Sequence, residues 1–231
     1  MKTVAVIPAR IGSRRIPKKN IKLFLGKTLI SYSIQAAKES GVFDRIVVST
    51  DSLEIADIAK QCGAEIPFIR PPELSGDHTT TDDVLLHSLN WFNTNWGQTD
   101  YVCLLYSTPF ARPEYIKKGL ELIIQEKATT AFTVTTFPYP IFRAMKVDGR
   151  GRMEMFWPEN RHARSQDFPE AIHDAAQFYW IDSRKYAVDK HLFSSDSVPI
   201  MLPRKYAQDI DTQEDWERAE IMYTALKSES K

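Results

Sequence analysis

Val4-Ala5-Val6-Ile7-Pro8-Ala9-Arg10-Ile11-Gly12-Ser13-Arg14-Arg15-Ile16-Pro17-Lys18-Lys19-Asn20 begins with an apolar run and turns at a proline into a loop that is dense in positive charge. The run reads as a short strand closed by Pro8. It is apolar throughout rather than alternating, as in a strand whose two faces are both covered by helices. The same theme continues downstream. Helices are predicted over Thr28–Lys38, Leu53–Gln61, Val84–Phe92 and Ile116–Gln125, with strands at Arg45–Ser49, Tyr101–Leu105 and Ala131–Thr136. Strands separated by helices of this length are crossover units, so the fold class is α/β with a mostly parallel sheet. In such sheets ligands lie beyond the carboxyl ends of the strands, so the loops after Ile7, Ser49 and Leu105 are expected to line a site.

The middle of the chain changes character. Lys146 to Met153 looks like two strands joined through a glycine-bearing turn. From about Pro138 to Ala176 prolines and aromatics occur without helical period, which suggests a β-rich insert or small lobe. Regular structure is expected again at Gln177–Ile181 and in a last helix over Thr212–Leu226.

Lys and Arg together number 30, as do Asp and Glu, so overall charge gives no reason to expect nucleic acid or an anionic membrane as partner. The distribution is uneven, however. Met1 to Lys38 contains no acidic residue, whereas Asp209, Asp211, Glu214, Asp215, Glu217 and Glu220 crowd the other end. A basic loop and an acidic segment of this kind can meet around a polyphosphate and its metal, or stand as two solvated surfaces. No run approaches the roughly 20 apolar residues needed to span a bilayer, and the start is too short for a secretory leader. Cys62 and Cys103 form neither a disulfide framework nor a metal spacing. A cytoplasmic protein with reduced thiols is the expectation.

Two segments carry chemistry. The loop holds five cations between Arg10 and Lys19, and its glycine lets backbone N–H groups approach phosphate oxygens. It is neither a Walker loop nor a dinucleotide fingerprint, because the glycine spacings of both are missing. On charge alone it reads as a phosphate site or as a solvated basic loop. The second segment is Gln208-Asp209-Ile210-Asp211-Thr212-Gln213-Glu214-Asp215. In extended chain Asp209 and Asp211 point to one side and can share one hard cation, magnesium being the natural choice beside phosphate. Equally, Asp211 or Thr212 can cap the last helix, with Glu214 or Asp215 in the third-position role. His78 and His173 have no metal spacing, and Thr79 to Asp82 reads as a helix cap.

Together these segments resemble the CMP-sialic acid synthetase (acylneuraminate cytidylyltransferase) family, whose loop runs Pro-Ala-Arg-Gly-Gly-Ser-Lys-x-Ile-Pro-x-Lys-Asn. The similarity continues through Ile21-Lys22, Gly26-Lys27, Val48-Ser49-Thr50-Asp51, Phe68 to Leu74 and Asp209-Ile210-Asp211. Within the family, Phe137 to Ala144, Arg164 to Asp167 and His173 to Trp180 are most similar to the pseudaminic acid cytidylyltransferase branch. The resemblance implies a Rossmann-like nucleotidyltransferase sheet of the glycosyltransferase-A-like kind, forming a single domain over residues 1–231. The insert at 138–176 would then be a dimerisation lobe and the protein a homodimer. It implies transfer of CMP from CTP to the anomeric hydroxyl of a nine-carbon 2-keto sugar acid, pseudaminic acid foremost, with legionaminic and N-acetylneuraminic acids as alternatives. A catalytically weak nucleotide-binding or regulatory protein is the alternative of another class.

By resemblance, Ala9, Arg10, Gly12 and Ser13 would hold the nucleoside or adjacent phosphate, with Arg70 assisting. Arg14, Lys19 and Asn20 would steady the triphosphate, and Asp209 and Asp211 would hold Mg2+. The catalytic set would be Arg14, Lys19, Asp209 and Asp211. The sugar acid would sit among Tyr106, Arg143, Arg164, Gln177, Tyr179 and Phe193, with Arg164 on its carboxylate. Two departures stand out. Ile11 and Arg14 replace the family's first glycine and its lysine, and Leu105 to Phe110 is one residue shorter than the family's Tyr-x-Thr-x-Pro-Phe. A β-branched residue disfavours positive φ, so either the loop differs at Ile11 or that position does not need it.

Overall fold

The computed structural model describes residues 1–229. β1 (Thr3–Pro8) is buried except at its last residue. The basic loop follows, then a miniature hairpin of β2 (Leu23–Phe24) and β3 (Lys27–Thr28). The crossover units come next: α1 (Leu29–Ser40), β4 (Arg45–Ser49), α2 (Leu53–Gln61), α3 (Thr81–Asn95), β5 (Tyr101–Leu105), α4 (Pro113–Glu126) and β6 (Thr130–Thr136). Their ends follow local chemistry. The Ser52 hydroxyl accepts from the Ile55 N–H at the start of α2, and Thr80 with Asp83 forms a reciprocal capping box on α3. Gly41 closes α1 at φ 67°, where a side chain would be strained.

The insert contains one antiparallel hairpin, β7 (Met145–Val147) with β8 (Met153–Met155), set among three short 3-10 turns. Pro138, Pro140, Pro158 and Pro169 have no N–H for a ladder, which keeps the remaining chain here out of sheet structure. The chain continues as β9 (Ile172–Asp182), α5 (Ser183–Asp189), β10 (Ser197–Met201) and α6 (Gln213–Glu229). α5 and β10 carry no clear sequence signal. α5 is seven residues long and held by the Asp182 side chain accepting from two backbone N–H groups. β10 contains Pro199, which an edge strand tolerates.

The main sheet runs β10-β6-β9-β5-β1-β4. β1 is parallel to β4 and β5, β6 is parallel to β10, and only β9 runs against its neighbours. The mostly parallel α/β sheet expected from the sequence is therefore present, with one reversed strand at its centre. Alternation along β9 feeds both faces. Phe178 and Trp180 pack with Ile30, Ile34, Ile116 and Ile123 of α1 and α4, whereas Tyr179 and Ile181 pack with Leu85, Leu89 and Phe92 of α3. A third cluster seats Trp216 of α6 against Phe24, Leu29 and Phe110. It fixes the acidic end of the chain beside the basic loop. Cys103 is buried, Cys62 is half-buried, and both are free.

Candidate functional site

A cavity of about 850 Å³ opens over the carboxyl ends of β1 and β5. The loops after these strands line it as expected, while the loop after β4 stands one layer behind. There the Asp51 carboxylate accepts the Ile11 N–H (3.0 Å), and the Thr50 carbonyl accepts the Arg70 N–H (2.7 Å). The basic loop is shaped from within. Ile16 is buried beneath it, the Asn20 amide donates to the Arg10 carbonyl (3.0 Å), and Lys18 takes φ 52° ahead of a 3-10 turn. Ile11 has no positive φ and packs onto the core, so the family glycine is not required at this position.

Each of the five loop cations faces a carboxylate. Arg10 pairs with Asp77 at 2.8 Å, and Arg14 holds the other oxygen of the same group. The Arg10 hydrogen bond, helped by the nearby Arg14 charge, holds the Asp77 carboxyl below its ordinary pKa. Arg15 and Lys19 meet Asp211 at 2.8 and 3.3 Å, and Lys18 meets Glu54. Lys19 also donates to the Ile210 carbonyl at 2.6 Å. The two ends of the chain thus converge on one cavity.

The capping alternative for Asp211 is settled by the hydrogen bonds. Asp215 accepts from the Thr212 N–H and hydroxyl (both 2.8 Å), and the Thr212 hydroxyl accepts from the Asp215 N–H. Thr212 and Asp215 therefore cap α6, and both Asp209 and Asp211 are left to the cavity. The Asp209 carboxyl can be reached from the cavity yet is crowded by protein. That burial first, and the Asp211 charge second, push its pKa above the ordinary carboxylate value. Among the described residues no group of three or more His, Cys, Asp or Glu is placed to hold a metal. Any hard cation here would rest on these two carboxylates and on substrate oxygens.

Arg70 is 4% exposed, and its Nε has no hydrogen-bond partner. Burial lowers its pKa from the usual guanidinium value, although Asp51 pulls the other way. It lines the cavity as an unsatisfied donor. Aromatic rings also line the cavity. The Tyr106 and Tyr179 rings meet edge to face at 5.8 Å, and Phe193 packs against Tyr179. The shortened segment after β5 is held by Ser33 of α1, which donates to the Tyr106 carbonyl and accepts the Thr108 N–H, so both residues still face the cavity.

Arg10, Ser13, Arg14, Lys19, Asn20 and Arg70 thus lie around the cavity with Asp209 and Asp211, and Tyr106, Tyr179 and Phe193 line it as well. Five expected residues are placed elsewhere. Ala9 is fully buried, its N–H bound to the Ser49 carbonyl, and Gly12 points out to solvent. Gln177 is buried with its amide on the Tyr206 carbonyl. Arg143 and Arg164 are both exposed on the insert, one bound to the Ala163 carbonyl and the other paired through two nitrogens with Asp167. Arg15, Asp77 and Asp174 line the cavity without having been singled out. Arg15 lies within the cation run and was legible there. Asp77 meets its arginines only through long-range folding, and no local pattern marks it.

The cavity has a cationic half suited to a polyphosphate and an aromatic half suited to a second substrate, with two carboxylates at the junction. Comparison with known proteins agrees. The family model described as Cytidylyltransferase matches residues 4–192. The chain is 40% identical to the pseudaminic acid cytidylyltransferase of Campylobacter jejuni subsp. jejuni serotype O:2, over 96% of this chain and 97% of that one. It is 32% identical to the CMP-N,N'-diacetyllegionaminic acid synthase of Legionella pneumophila subsp. pneumophila, over 94% of each. Among solved structures, a CMP:2-keto-3-deoxy-manno-octonic acid synthetase complexed with CTP superposes over the whole of both chains with a TM-score of 0.70 at 17% identity, a likeness of fold. By motif, fold and match, the chain belongs to the cytidylyltransferase family.

Proposed function

We propose that this chain transfers CMP from CTP to the anomeric hydroxyl of a nine-carbon 2-keto sugar acid, pseudaminic acid first among them, with release of pyrophosphate. The observation that carries the reading is the meeting of the Arg10–Lys19 loop with the Asp209/Asp211 pair at the wall of one cavity. The relatives support the acceptor class, and the 40% identity to the Campylobacter jejuni enzyme supports the choice of pseudaminic acid.

The reaction is an in-line displacement at the α-phosphorus, in which positioning and charge stabilisation do most of what a protein can do. Arg10, Arg14 and Lys19 bind phosphate oxygens after giving up Asp77 and Asp211, exchanging internal ion pairs for pairs with substrate. Arg70 supplies a buried donor to the nucleotide. Tyr106, Tyr179 and Phe193 flank the acceptor and keep water from the attacked phosphorus. Asp209 and Asp211 fit magnesium, since a divalent cation beside the two carboxylates would relieve the burial and the Asp211 charge that raise the Asp209 pKa. Bound there, magnesium would neutralise charge on the polyphosphate oxygens.

The same reading takes the protein as a cytoplasmic homodimer. Met145, Val147, Met153 and Phe156 leave an exposed apolar surface on the β7–β8 insert, which a second copy would cover. No helix of the described residues is long and apolar enough to cross a membrane. Pyrophosphate release from CTP with pseudaminic, legionaminic and N-acetylneuraminic acids in parallel tests the acceptor. A kcat/KM for pseudaminic acid at least about tenfold above the others is expected, a difference of about 1.4 kcal/mol. Preference for another acid would overturn the choice of sugar and keep the chemistry.

A further inference from the structure

Between Phe132 and Val134, β6 advances two residues while β9 retreats five, from Tyr179 to Asp174. In a regular strand, residues five apart point to opposite faces. Here each faces its partner on β6, and Phe132 and Val134 share one face, so the slip brings Tyr179 and Asp174 to the same side of the sheet. The bulge is held at Ala176, whose φ of 50° is one that alanine rarely adopts. Strained backbone of this kind collects at functional positions.

The slip delivers the Asp174 carboxylate to the cavity. One oxygen accepts the Ala176 N–H at 2.8 Å, and the other accepts the Tyr179 hydroxyl. Tyr179 is itself nearly fully buried, and burial first, then this hydrogen bond, raises its pKa and keeps it protonated as a donor. Asp174 takes part in no ion pair among the described residues. Each carboxylate oxygen keeps a free lone-pair site, and the group is fixed in orientation by two donors of its own chain. It stands beside Tyr106 and Tyr179, and Asp209 lies near the same two rings.

A fixed anion without a cation repels phosphate and accepts from N–H and O–H groups. We propose that Asp174 is a specificity-determining residue that accepts hydrogen bonds from hydroxyl or acylamino N–H groups of the sugar acid, and that Tyr179 is its positioning residue. This inference rests on the sugar-acid reading given above and names the acceptor contact within it. A donor-bearing acid gains a charge-assisted hydrogen bond, and an acid that turns a carbonyl or methyl to this position leaves the carboxylate unpaired.

Steady-state kinetics of the full chain with CTP, magnesium and pseudaminic acid test the proposal. Asp174→Asn removes the charge and leaves one acceptor oxygen for the two donors Tyr179 and Ala176, and should raise the KM for the sugar acid by about 10- to 100-fold, as for other charge-assisted hydrogen bonds. The KM for CTP should stay within about twofold and kcat should change much less than the sugar KM. Tyr179→Phe, which keeps the carboxylate and frees it, should raise the same KM by a smaller factor, again without affecting CTP. A rise in both KM values together, the signature of a general disturbance of the cavity, would overturn the assignment. So would an unchanged sugar KM, or a fall in kcat at unchanged KM, which would make Asp174 a proton acceptor instead. Turnover by the wild type with no selective effect of either variant sinks this inference alone. Absence of turnover by the wild type with every sugar acid sinks the proposed function with it.

Discussion

Asp77 holds the two arginines that a triphosphate would claim, and it does so from a segment nearly seventy residues away in sequence. All three groups are at least partly exposed, so solvent screens each pair and it is worth little in itself. The consequence is felt in binding, because both pairs must open before Arg10 and Arg14 reach a phosphate. Asp77→Asn should therefore lower the Kd for CTP by about two- to fivefold, the factor expected when weak competing ion pairs are removed. Isothermal titration with CTP at low salt measures it. An unchanged or weaker affinity would mean that Asp77 orders the arginines rather than competing for them. Arg70 differs in kind. The resemblance over Phe68 to Leu74 names it as a nucleotide contact, but its burial and its unsatisfied Nε appear only in the fold.

At the scale of elements, α4 lies closest to the sheet where it has no side chain. A Cβ added at Gly119 would come within 2.6 Å of Ile200 and 2.7 Å of Trp180. Trp180 cannot swing aside cheaply, since its indole N–H donates to the Ile116 carbonyl of the same helix at 3.0 Å. Gly119→Ala gains helix propensity of at most about 1 kcal/mol. Overpacking costs typically about 1–3 kcal/mol, so the net effect should be loss of stability, read as a lower urea midpoint. A raised midpoint would show that α4 can lift from the sheet freely. The strands of the first half were legible because their apolar runs are bounded by Gly, Pro and polar turns, and β4 and β5 have the expected bounds. β9 was legible only over its last part. Its first residues, Ile172 to Ala176, hold the bulge, and a bulge breaks the alternation by which strands are read. α5 and β10 escaped for other reasons, one being short and held by a side-chain cap, the other an edge strand with a proline.

Across the whole molecule, the site joins residues from the first and the last tenth of the chain. Lys19 and Asp211 are 192 positions apart and lie at 3.3 Å, brought together by the packing of Trp216 against Phe24 and Leu29. The charge asymmetry hinted at this meeting, and the Asp-x-Asp spacing offered the carboxylates. That Thr212 rather than Asp211 caps α6 needed the hydrogen bonds. Expected sugar contacts fared less well, because Arg143, Arg164 and Gln177 are directed by neighbours that sequence does not reveal, namely Ala163, Asp167 and Tyr206. The insert remains apolar on its surface, with Val147 69% and Met153 79% exposed. If a second copy covers it, Val147→Glu with Met153→Glu should halve the mass seen by light scattering at micromolar concentration, through burial of unpaired charge. An unchanged dimer, or a monomer before mutation, would place the contact elsewhere or remove it.

Joint action of the basic loop and the two carboxylates is tested by magnesium-dependent pyrophosphate release from CTP and pseudaminic acid by the wild type, Asp209→Asn and Asp211→Asn. Release should require magnesium and fall by at least about 100-fold in either variant, the scale expected when a group stabilising transition-state charge is lost. Full activity in both variants would contradict it, as would release that chelation of magnesium does not stop.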